Sequence, residues 1–283
     1  MELFLIPINP IDVFLWTFRK NEKDVVNLYN TLSPVMQIAT GGSMLNFGYW
    51  SKEHSDPISA QENLCNVFGN LSELSAAKNV VDVGSGLSAP SKLWRDSYPT
   101  LNLYDVNINF KQLSFLKHEK NIEFLNSTST KLPFTNNSVD RVLALESAQH
   151  FKPLDNFISE SKRVLMKSGF LVMAVPITLK NSSLGRLGLL KFTWSSEHYG
   201  LDYLRDLISS NGFKIIDETL IGNHVYDPLA DYYVENRKLL SEKILKQYPA
   251  YMEKILYKSL LKMKKASEEK IIDYVLLKCA LDD

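Results

Sequence analysis

Short apolar runs separated by stretches with helical periodicity occupy most of the chain between Asn79 and Ala280. Apolar strands that alternate with helical segments are typical of a mostly parallel sheet whose crossover helices cover both faces. The sequence therefore predicts an α/β fold with a doubly wound, seven-stranded, mostly parallel sheet. The predicted strands are residues 80–83, 101–106, 122–125, 139–145, 170–175, 213–220 and 271–279.

One helical region precedes this pattern, and a second is inserted before its last strand. Asp56 followed by Pro57 supplies an N-cap and a favourable first helical residue, and apolar residues then recur on one helical face. We expect this helix to pack beside the first strand. Residues 223–269, which are rich in Lys, Tyr and Leu, predict a helical insertion before the last strand. Its lysines favour a solvated face, with a patch for anionic lipid or nucleic acid as the alternative.

The charge balance limits the partners. Lys plus Arg and Asp plus Glu each number 32, so no overall positive field attracts nucleic acid or anionic lipid. A small-molecule partner is the simpler expectation. The two cysteines, Cys65 and Cys279, lie far apart and outside any metal-ligand spacing. We therefore expect no metal site, no disulfide and a reducing, cytoplasmic location.

The first 18 residues are strongly apolar. Glu2 stands where a signal peptide has basic residues, and Pro7, Pro10 and Asp12 interrupt the run. A spanning helix needs roughly 20 mostly apolar residues, so stable membrane insertion is not expected. The segment is expected to pack on the domain; a lid over an apolar substrate and peripheral contact with a membrane surface are the alternatives.

A glycine turn follows the first predicted strand, in the sequence VVDVGSG at residues 80–86. Gly84 and Gly86 allow the backbone to turn tightly and to approach a ligand, and the following helix offers unpaired N–H groups. Asp105 is predicted to close the second strand, where a carboxylate accepts hydrogen bonds from both ribose hydroxyls of a nucleotide-like ligand. These features favour a nicotinamide cofactor or S-adenosylmethionine.

The downstream sequence separates these two cofactors. The segments KLPF at 131–134, SVDRV at 138–142 and RVLMKSG at 163–169 occur in order after the glycine turn. In this combination the chain resembles the class I S-adenosylmethionine-dependent methyltransferases. The resemblance implies a Rossmann-like fold and S-adenosylmethionine as the cofactor. A nicotinamide-dependent oxidoreductase would share the glycine turn and Asp105 but not the later segments.

Further segments resemble the branch of that family that acts on sugars, quinones, sterols and other natural products. These are GSMLNFGYW at 42–50, ESAQHF at 146–151 and WSSEHY at 194–199. The likeness runs from about Tyr29 to Val225 and implies that Tyr29, Tyr49 and Trp50 belong to a segment that folds over the cofactor. The extreme N-terminus and the late insertion fall outside the likeness; because neither belongs to the sheet and both are rich in apolar and aromatic residues, we expect them to form the roof of the acceptor pocket. The chain is thus predicted to divide into an N-terminal helical lid over residues 1–75, a cofactor-binding core over 76–222, an acceptor cap over 223–269 and the last strand over 270–283.

The resemblance also predicts the cofactor site. One position departs from the family pattern: Thr128 stands where the family usually has an Asp that binds the adenine amino group. Its hydroxyl offers a weaker acceptor than a carboxylate, and Ser129 follows with a backbone N–H. The predicted cofactor-binding residues are Tyr49, Trp50, Asp82, Gly84, Ser85, Gly86, Asp105, Val106, Thr128, Ser129 and Glu146.

His150 is the candidate catalytic base. It follows the fourth predicted strand, at the carboxyl edge where open α/β sheets bind ligands, and imidazole is a common general base. A structural histidine at a strand end is the alternative. Gln149, His198 and His224 are expected to face the acceptor, with His198 opening a helix, whereas His54 and His118 lie in polar, surface-like surroundings.

The predicted function is methyl transfer from S-adenosylmethionine to a small molecule, most simply to a hydroxyl group. Methylation at carbon or nitrogen, including that of a lipid-like quinone or sterol, stays open, as does a non-catalytic S-adenosylmethionine-binding scaffold. Nucleic-acid methylation is not favoured, because the chain has neither a base-flipping motif nor a basic channel in its composition. The sequence leaves the oligomeric state undetermined.

Overall fold

The chain forms a seven-stranded sheet with helices on both faces. The structure is a computed structural model that describes residues 9, 11, 14, 21–179 and 197–282. Its strands are β1 (Asn79–Val83), β2 (Asn102–Asn107), β3 (Ile122–Asn126), β4 (Val139–Leu145), β5 (Leu165–Thr178), β6 (Phe213–Leu220) and β7 (Ile272–Leu281). The helices are α1 (Glu22–Thr40), α2 (Pro57–Leu71), α3 (Ala89–Ser97), α4 (Phe110–Ser114), α5 (Leu154–Val164), α6 (Leu201–Ser210), α7 (Tyr226–Leu245) and α8 (Ala250–Glu268).

The strand order is β3-β2-β1-β4-β5-β7-β6, and only β7 runs antiparallel to its neighbours. This confirms the predicted seven-stranded, mostly parallel, Rossmann-like sheet. From β1 the chain first adds β2 and β3 on one side and then crosses to the other side of β1 to form β4. This reversal of strand order opens a crevice at the carboxyl ends of the central strands, where such sheets bind their ligands.

One strand differs from its predicted bounds by more than two residues. β5 begins at Leu165, five residues before the predicted start at Phe170. The reason is an early pairing with β4: Leu165 lies opposite Val139, and the register shifts before Phe170 pairs with Arg141. A bulge of this kind keeps an irregular, polar stretch inside a strand, and residues 166–169 have no apolar periodicity that would reveal it.

Alternation along the strands divides the core into two layers. Val80 faces the layer beneath α2, α3 and the α7–α8 hairpin, whereas Val81 and Val83 face the layer beneath α5 and α6. Within α2, Ala60, Leu64 and Phe68 are fully buried. Asp56 caps that helix by accepting hydrogen bonds from the N–H groups at positions 58 and 59, as its sequence predicts.

The α7–α8 hairpin packs against α1. Val35 of α1 belongs to a small apolar cluster with Ile244, Tyr248 and Met252 of the hairpin. Both ends of the hairpin lie at the carboxyl edge of the sheet, because β6 runs parallel to β5 and β7 runs back in the opposite direction. The hairpin therefore braces the helix that covers the crevice.

Two predicted features fall outside the described residues. These are the apolar N-terminal run, apart from isolated positions, and the Trp194 segment that resembles the family. His198 precedes α6, which begins at Leu201, so the prediction that this histidine opens a helix is wrong. In the described ranges no helix combines the length and apolarity that a membrane crossing requires.

Candidate functional site

A cavity of about 220 Å³ lies at the carboxyl ends of β1, β2, β3 and β4. Its floor is formed by the loops that follow these strands, and its roof by α1 and residues 43–47. None of its lining residues belongs to 223–269. The predicted acceptor cap therefore supports the roof from behind, while α1 covers the cavity directly.

The glycine turn after β1 is tightly packed. Gly84 has a φ of 81°, and a Cβ at this position would lie 2.5 Å from the Cβ of Ser147. The Gly84 N–H donates to the Val106 carbonyl at 2.7 Å, and the Ser147 hydroxyl donates to the Val83 carbonyl at 2.6 Å. Only glycine fits here, so the backbone itself forms the cavity floor.

The structure brings together eight of the predicted site residues in the cavity wall and places the others elsewhere. Those that line the cavity are Gly84, Ser85, Gly86, Val106, Ser129, Glu146, Gln149 and His150. Those that do not line it are Tyr49, Trp50, Asp82, Asp105, Thr128, His198 and His224.

Asp105 is fully buried behind the cavity. The prediction that it closes the second strand is wrong, because β2 continues to Asn107. Asp105 lies opposite Asp82 of β1, and its Oδ1 accepts a hydrogen bond from the Ser91 hydroxyl of α3 at 2.5 Å. Burial raises the pKa of Asp105 to about 6, although Ser88, Ser91 and Lys92 lower it. Burial and the neighbouring Asp105 charge also raise the pKa of Asp82.

Asn107 occupies the position that the spacing argument gave to Asp105. Two residues further along β2, it lies on the same face of the strand and lines the cavity. Its Nδ2 donates to the Gly86 carbonyl and to Gln112 Oε1, each at 3.0 Å. Asn109 extends these contacts to α1 through a 2.9 Å hydrogen bond to Asn30. The strand end therefore presents amides rather than a carboxylate.

Glu146 follows β4 in a left-handed conformation, with a φ of 52°. Its Oε1 accepts hydrogen bonds from the Phe47 N–H at 2.9 Å and from the Tyr274 hydroxyl at 3.0 Å. Burial raises the pKa of the Glu146 carboxyl to about 8, against the lowering effect of these two donors. Its contacts make Glu146 an anchor for the roof segment.

His150 and Tyr29 meet inside the cavity. The Tyr29 hydroxyl and His150 Nε2 are 2.8 Å apart, and the two rings are nearly perpendicular with centroids 5.3 Å apart. Tyr29 comes from α1, whereas His150 ends the short 3₁₀ turn after β4. The roof helix α1 thus places the Tyr29 hydroxyl in direct contact with His150, the predicted base. This partnership spans 121 positions and is not visible in local sequence.

Tyr49, Trp50 and His224 form a strap beside the cavity. Tyr49 stacks on His224 with ring centroids 4.7 Å apart, and the Trp50 N–H donates to the His224 carbonyl. Gly48 makes the close approach to α2 possible, because a Cβ there would lie 2.8 Å from that of Ala60. These residues hold the roof segment to α2 and to the start of α7.

Two buried polar atoms in the cavity wall have no hydrogen-bond partner among the described residues. They are Ser85 Oγ and Gln149 Oε1, and both side chains are more than nine-tenths buried. Such atoms are costly unless a ligand or water satisfies them. Together with the exposed backbone of the glycine turn, they fit a ligand with polar groups at several points, as S-adenosylmethionine has. No described group of three or more acidic, histidine or cysteine side chains is arranged to hold a metal ion.

Comparison with known proteins decides between the cofactors. Residues 81–173 match the family model described as a methyltransferase domain. The erythromycin 3''-O-methyltransferase of Saccharopolyspora erythraea is 24% identical over 82% of this chain and 81% of that protein. The matched domain and the methyltransferase relatives identify the chain as an S-adenosylmethionine-dependent methyltransferase.

Solved structures agree on the fold of this methyltransferase. The [4+2]-cyclase SpnF aligns with a TM-score of 0.74 and 17% identity over 92% of this chain and 96% of that one. The mycolic acid cyclopropane synthase CmaA1, in a structure with S-adenosylhomocysteine, aligns with a TM-score of 0.71 and 16% identity over 97% and 99%. The cofactor of the methyltransferase is S-adenosylmethionine.

Proposed function

We propose that this methyltransferase methylates a hydroxyl oxygen of a small, largely apolar molecule. The observation that carries the proposal is the 2.8 Å contact between the Tyr29 hydroxyl and His150 Nε2 in the cavity wall. When bound, S-adenosylmethionine supplies a methyl group that its sulfonium already activates. The protein then needs to align the acceptor and to remove the hydroxyl proton.

Tyr29 and His150 are proposed to remove that proton as a pair. The Tyr29 hydroxyl donates its proton to Nε2 of a neutral His150, which requires the tautomer whose Nε2 is unprotonated. The Tyr29 oxygen then accepts the proton of the acceptor hydroxyl. His150 Nε2 is thus the final site of the proton, and Tyr29 is the group that contacts the acceptor.

The proposed cofactor contacts follow the cavity wall. The backbone at Gly84 and Gly86 approaches the cofactor closely, and Ser85 supplies a hydroxyl. We assign the ribose to Asn107 instead of Asp105, because the polar side chain of Asn107 belongs to the cavity wall and Asp105 is buried outside it. Ser129, in the loop after β3, is proposed to lie on the adenine side. Asp82 and Asp105 support this floor from beneath, and Tyr49, Trp50 and His224 hold the roof segment.

The nature of the acceptor is inferred from the roof. α1 and the segment after it present mainly apolar side chains to the cavity, among them Val25, Val26, Met36, Met44 and Leu45. Gln149 is the polar residue proposed to orient the acceptor. The hydroxyl assignment is supported by the erythromycin 3''-O-methyltransferase, which is an O-methyltransferase by name.

The proposed organisation keeps the predicted segments with one change of role. Residues 1–75 include the lid helix α1, 76–222 hold the cofactor, and 270–283 supply the last strand. Residues 223–269 brace the lid. We also propose a cytoplasmic location, which is supported by the two free, buried thiols, Cys65 and Cys279.

Paired acceptors test the proposed reaction. The purified protein is incubated with S-adenosylmethionine and with apolar alcohols, each paired with the analogue in which hydrogen replaces the hydroxyl. Mass spectrometry should find one added methyl group on the alcohols and none on their partners. Methylation at carbon or nitrogen would contradict the hydroxyl assignment. Tight binding of S-adenosylhomocysteine without turnover of any acceptor would favour a scaffold.

A further inference from the structure

Glu22 is a cavity-lining carboxylate that the sequence did not reveal. It is the first residue of α1, and its side chain lies at the mouth of the cavity next to the loop that follows β3. Glu22 and Glu146 are the two acidic residues in the cavity wall as described. Glu146 lies at the β4 end, so Glu22 is the carboxylate on the β3 side.

Thr128 orients Glu22. The Thr128 hydroxyl donates a hydrogen bond to Glu22 Oε1 at 2.8 Å, while the neighbouring residues Ser127 and Ser129 line the cavity. Thr130 Oγ1 lies 3.2 Å from the same hydroxyl oxygen. The hydroxyl of Thr128 is therefore directed at Glu22 rather than into the cavity. Across the described ranges, the second carboxylate oxygen, Oε2, makes no hydrogen bond with the protein.

We propose that Glu22 Oε2 accepts a hydrogen bond from the 6-amino group of the cofactor adenine, with Thr128 as the positioning residue. An amino group donates two protons, and a carboxylate only accepts, so the two are chemically matched. The inference rests on the proposed placement of the adenosine at the β2 and β3 ends. It makes the first turn of the lid helix part of the cofactor site.

This arrangement couples lid closure to recognition of the base. Glu22, Asn30 and Tyr29 all belong to α1 and contact the loops after β3, β2 and β4, respectively. Because the adenine acceptor and Tyr29 share one helix, the position of α1 over the adenosine also sets the position of Tyr29 beside His150. A ligand that lacks the amino group loses one of the contacts that hold α1 in place.

The test compares two ligands that differ at one group. S-Inosylhomocysteine is S-adenosylhomocysteine with a 6-oxo group in place of the 6-amino group, which presents lone pairs to Glu22. Isothermal titration calorimetry should show that the wild type binds the adenosyl compound about tenfold more tightly, the effect of one hydrogen bond to a charged group. In Glu22→Ala this preference should fall to near unity, and in Thr128→Val it should fall partway.

Asp24, two residues after Glu22 in the first turn of α1, offers a matched control. Asp24 is the other acidic residue in the first turn of α1 and does not line the cavity, so Asp24→Ala removes a comparable charge from the helix start. This variant should keep the wild-type preference. Circular dichroism and thermal melting of all variants establish that each is folded before titration.

The outcomes separate the possible failures. Equal affinities of the wild type for both ligands, or an equal loss of both in Glu22→Ala, would show that Glu22 only anchors the lid and would overturn the proposal. No binding of S-adenosylhomocysteine by the wild type would overturn the cofactor placement as well. A preference that depends on Glu22, in a protein that methylates no hydroxyl, would keep this assignment and overturn the proposed acceptor.

Discussion

The backbone N–H of Phe47 donates a hydrogen bond to Glu146 Oε1 at 2.9 Å, which ties the roof of the cavity to the end of β4. The same oxygen accepts from the Tyr274 hydroxyl at 3.0 Å. Burial of this carboxyl raises its pKa to about 8, so the folded protein favours the protonated form at neutral pH. The protonation state of this side chain is therefore expected to affect the stability of the folded protein.

The first prediction concerns stability. The ordinary pKa of Glu146 is 4.5 and the folded value is about 8, so the folded state binds more protons between these limits. Its contribution is full below pH 4.5 and is lost as pH rises to about 8. Glu146→Gln, which mimics the protonated form, should flatten this dependence by up to about 1.4 kcal/mol per pH unit.

Urea unfolding at several pH values between 5 and 8 measures that slope. Glu123→Gln, which changes an exposed glutamate on β3, is the control and should keep the wild-type slope. If Glu146→Gln shows the same pH dependence as the wild type, Glu146 ionises normally in the folded protein.

The second prediction concerns His150 and Tyr29. Removing a well-placed general base typically lowers the rate by about 10²–10⁴-fold, so His150→Ala should lower kcat within that range. Affinity for S-adenosylhomocysteine should change little, since the proposed cofactor contacts lie on other residues. Tyr29→Phe should also lower kcat, and the double variant should be no slower than His150→Ala, because residues that act as a unit are non-additive.

Steady-state kinetics with an alcohol that the enzyme methylates give kcat, and calorimetry gives the affinity for S-adenosylhomocysteine. His118→Ala alters an exposed histidine outside the cavity and serves as the control. Additive losses in the double variant would mean that Tyr29 and His150 act separately. Near wild-type turnover in His150→Ala would show that His150 is not the base. It would favour an acceptor that reacts through carbon or through an already deprotonated atom.

The third prediction separates Asp105 from Asn107. Asp105 is fully buried against Ser91, whereas Asn107 lines the cavity. Asn107→Ala should weaken S-adenosylhomocysteine binding by about 1 kcal/mol, the usual value for one neutral hydrogen bond. Asp105→Asn should leave affinity nearly unchanged and act on the melting temperature instead. A loss of affinity in Asp105→Asn with normal binding by Asn107→Ala would restore the assignment made from sequence spacing.

Local sequence predicted the sheet well because strand formation leaves a local signal. Val80, Val81 and Val83 are buried between two layers of helices, and their apolar run is visible without any knowledge of their neighbours. The glycine turn has an equally local cause, since the positive φ values of Gly84 and Gly86 restrict those positions. The polar start of β5 carried no such signal and was missed.

The site was predicted less completely because its contacts span the chain. Thr128 and Glu22 are 106 positions apart, and Tyr29 and His150 are 121 apart. Nothing in either segment alone indicates its partner. The position of Asp105 differs from its prediction for another reason: a count of residues from Gly86 does not determine where β2 ends, and a difference of two positions decides which side chain lines the cavity.

The last prediction concerns the cavity floor. A Cβ at Gly84 would lie 2.5 Å from Ser147 Cβ, and its φ of 81° is strained for any other residue. Strained backbone and overpacking each cost about 1–3 kcal/mol, so Gly84→Ala should lower the free energy of unfolding by at least about 2 kcal/mol and weaken S-adenosylhomocysteine binding. Denaturant unfolding and calorimetry measure the two effects.

A second variant separates the two causes. Ser147→Gly removes the Cβ that the alanine would meet, so the double variant should regain the part of the stability lost to overpacking and keep the part lost to backbone strain. Gly42→Ala is the control, because a Cβ at Gly42 meets Ile58 at an ordinary 3.4 Å and the position lacks a positive φ. If Gly84→Ala is as stable and binds as tightly as Gly42→Ala, the β1 turn has room for a side chain and its backbone does not form the floor of the cofactor site.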